Sequence, residues 1–304
     1  MVVLKKRFFI LVIFISIVIF SFLLIDFFQK SSKFNTLVVG SKNCTENQIL
    51  AEIMATLIER NTDIKVQRKL NLEGTLICFE ALKSKDIDIY PEYSGSAIFA
   101  ILKEDISDRE DSLFKYLKKT FLEKFNIKWL KPFGFENKYV LCMQNKKAKK
   151  LNISSFSDLK NYSKSTKLTV AWDPEFSIRK EITAIKNCYN LDLKYQIIDQ
   201  SLLYFSLHSD VVDVTNGFST DSKIKKYDLL ILEDDKNAFP SYIAAPIVRK
   251  DILQKYPKLK AELKKLDGKI TDEKIKKLIY LADEKKQKVY DVASCFLKAE
   301  RLIE

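Results

Sequence analysis

The first indication of an α/β fold is the stretch Leu37-Val38-Val39-Gly40-Ser41-Lys42-Asn43-Cys44-Thr45-Glu46, in which an apolar strand passes through a short polar turn into a helix. Thr45 is predicted as the N-cap of that helix. A helix N-terminus beside Lys42 offers backbone N–H groups and a positive charge to an anion. Taken alone, the stretch indicates only a polar turn. The helix is predicted from apolar residues at helical spacing: Ile49, Leu50, Ile53, Met54, Leu57 and Ile58.

A second polar stretch, Tyr90-Pro91-Glu92-Tyr93-Ser94-Gly95-Ser96, follows about two secondary-structure units later. Between the two, residues 66–75 predict a strand, a turn and a helix start, and residues 87–91 predict a short alternating strand. This βαβαβ rhythm predicts a mostly parallel sheet covered by helices. Ligands bind beyond the carboxyl ends of such strands, so both polar stretches are predicted at one ligand-binding edge.

Further motifs extend the pattern along the chain. They are Gly-Ser-Lys-Asn-x-Thr-Glu at 40–46, Leu-Asn-Leu-x-Gly-Thr at 70–75, Ile-Asp-Ile-Tyr-Pro-Glu-Tyr-Ser-Gly at 87–95, Trp-Leu-Lys-Pro-Phe-Gly-Phe at 129–135, Phe-Ser-Thr-Asp at 218–221 and Phe-Pro-Ser-Tyr-Ile-Ala-Ala-Pro at 239–246. In this order they resemble the substrate-binding proteins of osmoprotectant ABC transporters, the glycine betaine/carnitine/choline-binding family. The resemblance runs over residues 36–300.

The resemblance implies an α/β, two-lobed periplasmic-binding-protein fold of type 2 with a hinged cleft between the lobes. A chain of 304 residues is long enough for two such lobes. Lobe 1 is expected to comprise residues 36–139 and 243–304, and lobe 2 residues 140–242. Within lobe 2, a loop is expected at 154–159 and a strand at 211–214.

The resemblance also implies a ligand site, and the two charged groups of a betaine determine which side chains that site needs. A trimethylammonium group cannot donate a hydrogen bond and is held by aromatic faces, while a carboxylate favours charged donors and hydroxyls. The aromatic positions fall on Tyr93, Tyr139, Phe218 and Tyr242, and the carboxylate positions fall on Lys42, Ser96 and Arg179. Two positions depart from the family pattern: Phe218 stands where tyrosine is common, and Cys44 where an aromatic residue is common.

Lys42 and Arg179 would repel a bare cation unless an acidic group offset them. The expected ligand is therefore a zwitterion, with glycine betaine ranked first, carnitine or proline betaine next, and choline lower. The resemblance implies a monomer that uses no cofactor, metal or catalytic residue. Its expected partners are an ABC permease subunit and the ATPase of that permease.

Three other functions stay open. An extracytoplasmic enzyme is one, although the single histidine, His208, is accompanied by no nucleophile motif. A membrane-tethered solute sensor could use the same fold. A binding protein for another small zwitterion, such as an amino acid, is the third.

Residues 1–35 are expected to form an N-terminal signal or anchor helix. Lys5-Lys6-Arg7 precede the apolar residues 8–25, which are interrupted only by Ser16 and Ser21. This stretch exceeds the roughly 7–15 residues of a signal-peptide core and approaches the ~20 that span a bilayer. The basic flank predicts an exported body, anchored at the membrane by residues 8–25, with a cleaved signal as the alternative.

The net charge of +12 does not indicate nucleic-acid binding, because the lysines are scattered over predicted helix faces and form no patch with aromatic residues. The five cysteines have no metal-ligand spacing and cannot all pair. They are predicted to be small buried hydrophobic residues, and one bridge between Cys44 and Cys78 stays open.

Overall fold

The computed structural model describes residues 36–104 and 113–304, so the anchor predicted at 8–25 lies outside the described residues. Two five-stranded sheets form the centre of the molecule, and helices cover them. Within the described part of the chain, no helix is long and apolar enough to cross a membrane.

The first sheet has the strand order β2-β1-β3-β10-β4. Its N-terminal elements are β1 (Thr36–Lys42), α1 (Thr45–Asn61), β2 (Lys65–Leu72), α2 (Gly74–Lys83), β3 (Ile89–Tyr93), α3 (Ser94–Ser96, continued by the π-helix Ala97–Leu102), α4 (Leu113–Phe125) and β4 (Ile127–Trp129). The C-terminal part adds β10 (Ala244–Arg249), α10 (Lys250–Lys255), α11 (Pro257–Lys264), α12 (Asp272–Asp283) and α13 (Val289–Ala299).

The second sheet has the order β7-β6-β8-β5-β9 and is formed by one continuous part of the chain. Its elements are β5 (Tyr139–Gln144), α5 (Asn145–Leu151), α6 (Phe156–Ser163), β6 (Val170–Trp172), a 3-10 turn (Phe176–Ile178), α7 (Lys180–Tyr189), β7 (Tyr195–Ile197), α8 (Gln200–His208), β8 (Val214–Phe218), α9 (Ser222–Lys226) and β9 (Leu229–Leu232).

Each sheet contains one reversed strand. β10 runs antiparallel to β3 and β4, and β5 runs antiparallel to β8 and β9, while the remaining strands share one direction. The predicted mostly parallel sheet is therefore confirmed. β5 and β10 each follow a crossing between the lobes. Because each runs opposite to the parallel strands of its sheet, its first residue lies at the edge where the parallel strands end.

The two crossings between the lobes, at residues 136–137 and 242–243, lie side by side and are hydrogen-bonded to each other. The backbone N–H of Asn137 donates to the carbonyl of Tyr242 at 3.1 Å, and Glu136 forms an antiparallel bridge with Ile243. The Ser94 hydroxyl donates to the carbonyl of Ser241 at 2.6 Å, which fixes the crossing to the end of β3. The lobes are thus joined by a hydrogen-bonded pair of segments.

Helix α1 is more deeply buried than a single apolar stripe would predict. Nearly every residue from Glu46 to Ile58 is buried, because strands β1 and β2 cover one side of the helix and α11, α12 and α13 cover the other. The N-cap prediction was wrong by one residue. Cys44 is the N-cap, and the Thr45 hydroxyl instead donates to Asp283 Oδ1 at 2.7 Å.

Two local predictions in the second lobe were also wrong. The loop expected at 154–159 contains the start of α6, where Ser155 and Asp158 form a reciprocal capping box that stabilises the helix. The strand expected at 211–214 begins only at Val214, since the turn that ends α8 still includes Val211, whose N–H donates to Ser206.

All five cysteines are free thiols. Cys78 and Cys142 are buried as predicted, but Cys44, Cys188 and Cys295 are exposed, so the burial prediction was wrong for these three. Cys44 is exposed because it caps α1 at the polar edge of the sheet.

Candidate functional site

The carboxyl edges of the two sheets face each other across a cleft of about 300 Å³. Six of the seven predicted site residues line it: Lys42, Tyr93, Ser96, Tyr139, Phe218 and Tyr242. Arg179 lies outside the lining, with its guanidinium carbon 4.8 Å from the centroid of the Tyr139 ring. The structure thus brings the predicted residues together, while their roles in binding stay predictions.

Three of the aromatic residues form one cluster at the inner wall of the cleft. Tyr139 opens β5 directly opposite Phe218 at the end of β8, and their ring centroids are 4.7 Å apart. The Tyr242 ring, from the returning crossing, lies 5.8 Å from Tyr139. Tyr93 ends β3 on the other lobe and lines the same cleft. The strand ends therefore deliver aromatic rings from both lobes.

Lys42 lines the cleft but already has a charge partner. Its Nζ lies 2.5 Å from Glu92 Oε1, donates to Thr75 Oγ1 at 2.9 Å, and lies 4.9 Å from the Tyr93 ring centroid. Glu92 is fully buried and also accepts from the Tyr90 hydroxyl at 2.8 Å. Glu92 was not among the predicted site residues, although it lies within the motif at 87–95.

Arg179 is likewise paired with acids. Its Nη1 lies 2.7 Å from Glu175 Oε1 at the surface, and its Nε lies 3.0 Å from the fully buried Glu181. Glu181 also accepts a hydrogen bond from the Tyr242 hydroxyl. Among the residues that the structure describes, Arg179 Nη2 has no hydrogen-bond partner although it is buried. One guanidinium nitrogen is thus buried without a partner beside the aromatic cluster.

Glu46, in the first turn of α1, is a further cleft residue that the sequence analysis did not identify. Its Oε1 accepts from the Tyr93 hydroxyl at 2.6 Å and from Asn137 Nδ2 at 3.0 Å. Burial raises the pKa of this carboxyl to about 7, although the neighbouring Thr220 hydroxyl and the hydrogen bonds from Tyr93 and Asn137 lower it. An acid in a first helical turn is common, so the sequence carried no specific signal for it.

Asp221 adds a second acid, half-buried in the lining of the cleft. Its Oδ2 accepts from the Tyr204 hydroxyl at 2.5 Å, yet burial raises the pKa of the carboxyl to about 6. The lining contains the acids Glu46, Glu175, Asp221 and Asp283 against the bases Lys42 and Lys223. The cleft therefore lacks the excess of positive charge on which the ranking of zwitterions over choline rested.

We expect the ligand-free protein to lose stability as pH rises from about 4.5 to about 7, because Glu46 binds its proton more tightly when folded than when unfolded. The stability that Glu46 contributes is complete below its pKa in the unfolded chain and is lost above its pKa in the folded protein. Glu46→Gln should remove the loss and raise the free energy of unfolding at pH 8 by about 1–3 kcal/mol. Urea unfolding of the full chain at pH 4.5 and pH 8 measures both values.

The matched control is Glu73→Gln, which makes the same substitution at an exposed glutamate outside the cleft and should not raise the free energy of unfolding at pH 8. An equal effect of Glu46→Gln at pH 4.5 and pH 8 would contradict the assignment.

Two α/β lobes, joined by paired crossings around a small cleft with aromatic walls, define a solute-binding protein. The chain belongs to the family of substrate-binding domains of ABC-type glycine betaine transport systems, which it matches over residues 35–299. The predicted family, the two-lobed fold and the function as a transport substrate-binding protein are confirmed.

Individual relatives agree with this family. The carnitine transport binding protein OpuCC of Listeria monocytogenes is 34% identical over 278 residues, which cover 90% of this chain and 89% of that protein. The ergothioneine transport permease/ergothioneine binding protein EgtU of Helicobacter pylori is 34% identical over 264 residues, or 86% of this chain and 47% of that protein. A crystal structure of a glycine betaine/carnitine/choline ABC transporter superposes with a TM-score of 0.76 at 30% identity, and the match covers 88% of this chain and 100% of that chain. These relatives are transport proteins.

Proposed function

We propose that the protein is a non-enzymatic, extracytoplasmic component that binds a small quaternary-ammonium compound and delivers it to an ABC permease driven by an ATPase. The observation that carries the proposal is the cluster of Tyr139, Phe218 and Tyr242 in a cleft that Tyr93 also lines. Aromatic faces attract a quaternary ammonium by cation–π interaction, most strongly where water is excluded. The permease partner is supported by the relative EgtU, whose name joins a permease to a binding protein.

We assign the four aromatic residues to the ammonium group and three donors to a ligand carboxylate. Arg179 offers the unpartnered Nη2, and Ser96 offers its hydroxyl to the cleft. An ammonium has three N–H donors, of which Lys42 directs two to Glu92 and Thr75, so the third is assigned to the ligand. This arrangement suits a zwitterion.

The binding cycle follows from the lobes. We propose that residues 36–139 with 243–304 and residues 140–242 close on the ligand about the paired crossings, and that residues 8–25 tether the protein to the membrane. An ion pair between Lys226 Nζ in the second lobe and Glu284 Oε2 in the first, at 2.7 Å, already joins the two lobes.

Glycine betaine, carnitine, choline and ergothioneine should be tested by thermal unfolding of the full chain in detergent. A ligand that binds only the folded state adds about 2.7 kcal/mol at one hundred times its Kd, so at least one compound should raise the Tm. Tyr93→Ala should abolish that rise, because it removes the ring that the first lobe contributes.

The matched control is Tyr280→Ala, which removes an exposed tyrosine outside the cleft and should preserve the rise. No response to any of the four compounds would contradict the proposed function. A normal response of Tyr93→Ala would instead contradict the aromatic site alone.

A further inference from the structure

We propose that Glu46 and Asn137 form an acceptor pair that selects quaternary-ammonium ligands carrying a hydroxyl group. The inference rests on the proposed function, and it identifies which members of that ligand class the cleft prefers.

The first observation is that both residues present a buried oxygen without a donor. Glu46 Oε2 and Asn137 Oδ1 have no hydrogen-bond partner across residues 36–104 and 113–304, and both residues line the cleft. Glu46 is only 4% exposed. Buried polar atoms in folded proteins almost always find a partner, so two such acceptors in one ligand cleft indicate a donor on the ligand.

The second observation is that the other atoms of this pair are already engaged, which fixes its orientation. Asn137 Nδ2 donates to Glu46 Oε1, and the Tyr93 hydroxyl donates to the same oxygen. Thr220 interacts with this carboxyl as well. Neither Glu46 nor Asn137 can therefore rotate its unpartnered oxygen to a new donor without breaking a hydrogen bond that it now makes.

The pair and the neighbouring Thr220 come from three parts of the fold. Glu46 belongs to the first turn of α1 in the first lobe, Asn137 to the crossing, and Thr220 to the turn after β8 in the second lobe. The Tyr93 hydroxyl connects the pair directly to the aromatic wall. A ligand whose ammonium contacts Tyr93 thus places its neighbouring carbon atoms near the two acceptors.

Quaternary-ammonium compounds differ in whether they carry a hydrogen-bond donor for these two acceptors. Glycine betaine has no hydrogen-bond donor, so it would leave both buried acceptors without a partner and displace any water that served them. A site built to accept a hydrogen bond discriminates strongly against the analogue that lacks the donor. The cleft, at about 300 Å³, is at the small end of ligand sites. A hydroxyl group enlarges the ligand by only one heavy atom, so the cleft can still hold it.

L-Carnitine and γ-butyrobetaine provide the test, because they differ only by the carnitine hydroxyl. Calorimetry on the full chain at pH 8 should show L-carnitine binding at least about tenfold more tightly, the ratio that one charge-assisted hydrogen bond provides. In Glu46→Gln the ratio should fall to within about threefold. With Oε1 still accepting from Tyr93, the glutamine places an N–H₂ donor where the unpartnered oxygen stood.

Two further variants separate recognition from a general loss of structure. Asn137→Ala should lower the ratio while γ-butyrobetaine still binds. Asp283→Asn should keep the wild-type ratio, since this cleft carboxylate has the Thr45 hydroxyl as its partner.

Equal affinities of the wild-type protein for the two compounds would overturn the acceptor pair and leave the proposed function standing. If Glu46→Gln keeps the wild-type ratio of affinities for L-carnitine and γ-butyrobetaine, the acceptor pair is overturned as well. If neither compound binds and glycine betaine, choline and ergothioneine also fail to bind, the proposed function and this inference fail together.

Discussion

Replacement of Lys42 by methionine is expected to lower the free energy of unfolding by about 3–5 kcal/mol. The substitution removes the charge partner of Glu92, which has no exposed surface. A buried carboxylate left without its counter-charge is far more costly than a lost surface ion pair. Urea unfolding of the full chain, followed by circular dichroism, measures the change.

The matched control is Lys223→Met, which removes another lysine from the lining of the cleft. Lys223 is partly exposed, so its removal should cost less than about 1 kcal/mol. The double variant Lys42→Met/Glu92→Leu should recover part of the loss, because it removes both charges. If Lys42→Met weakens ligand binding but leaves unfolding unchanged, then Lys42 serves the ligand and not the fold.

Gly95→Ala is expected to lower the free energy of unfolding by about 1–3 kcal/mol and to abolish the ligand-dependent rise in Tm. A Cβ at this position would lie 2.4 Å from Tyr242 Cε1, and its three nearest atoms all belong to that ring. The ring cannot move aside easily, because its hydroxyl is bonded to the buried Glu181. Any displacement would also disturb the contact with Tyr139.

Gly268→Ala provides the control for a general glycine effect. Apart from its chain neighbours, no atom of the described residues lies within 4 Å of its added Cβ, but its φ of +66° makes alanine strained. It should therefore cost about 1–2 kcal/mol and leave ligand binding intact. Normal binding by Gly95→Ala would show that Tyr242 tolerates displacement and takes no part in holding the ligand.

The elements of the site that follow from local sequence were predictable. Tyr93, Tyr139 and Phe218 stand at strand ends, and a strand end is marked by the apolar residues beside it. Family resemblance then placed them at one cleft. The same reasoning located α1, whose apolar spacing is visible in the sequence.

The pairing of charges was not predictable, because it depends on contacts between distant residues. Lys42 meets Glu92 fifty positions away, and Tyr242 meets Glu181 sixty-one positions away. The N-cap of α1 was predicted wrongly for the same reason, because the Thr45 hydroxyl donates to Asp283, 238 positions along the chain. Spacing within a motif carries no information about such partners. The sequence therefore indicated which charges were present but not which of them were neutralised.

The reversed strand β10 also determines the order in which the lobes can form. It lies in the middle of the first sheet, between β3 and β4, and the helix packed against α1 ends only at Ala299. A growing chain therefore cannot complete its first lobe until Ala299 has been synthesised, whereas the second lobe is continuous from Tyr139 to Leu232. Domains generally fold as units when their residues become available. Of the two lobes, the one whose synthesis begins first is thus the one whose last residues become available last.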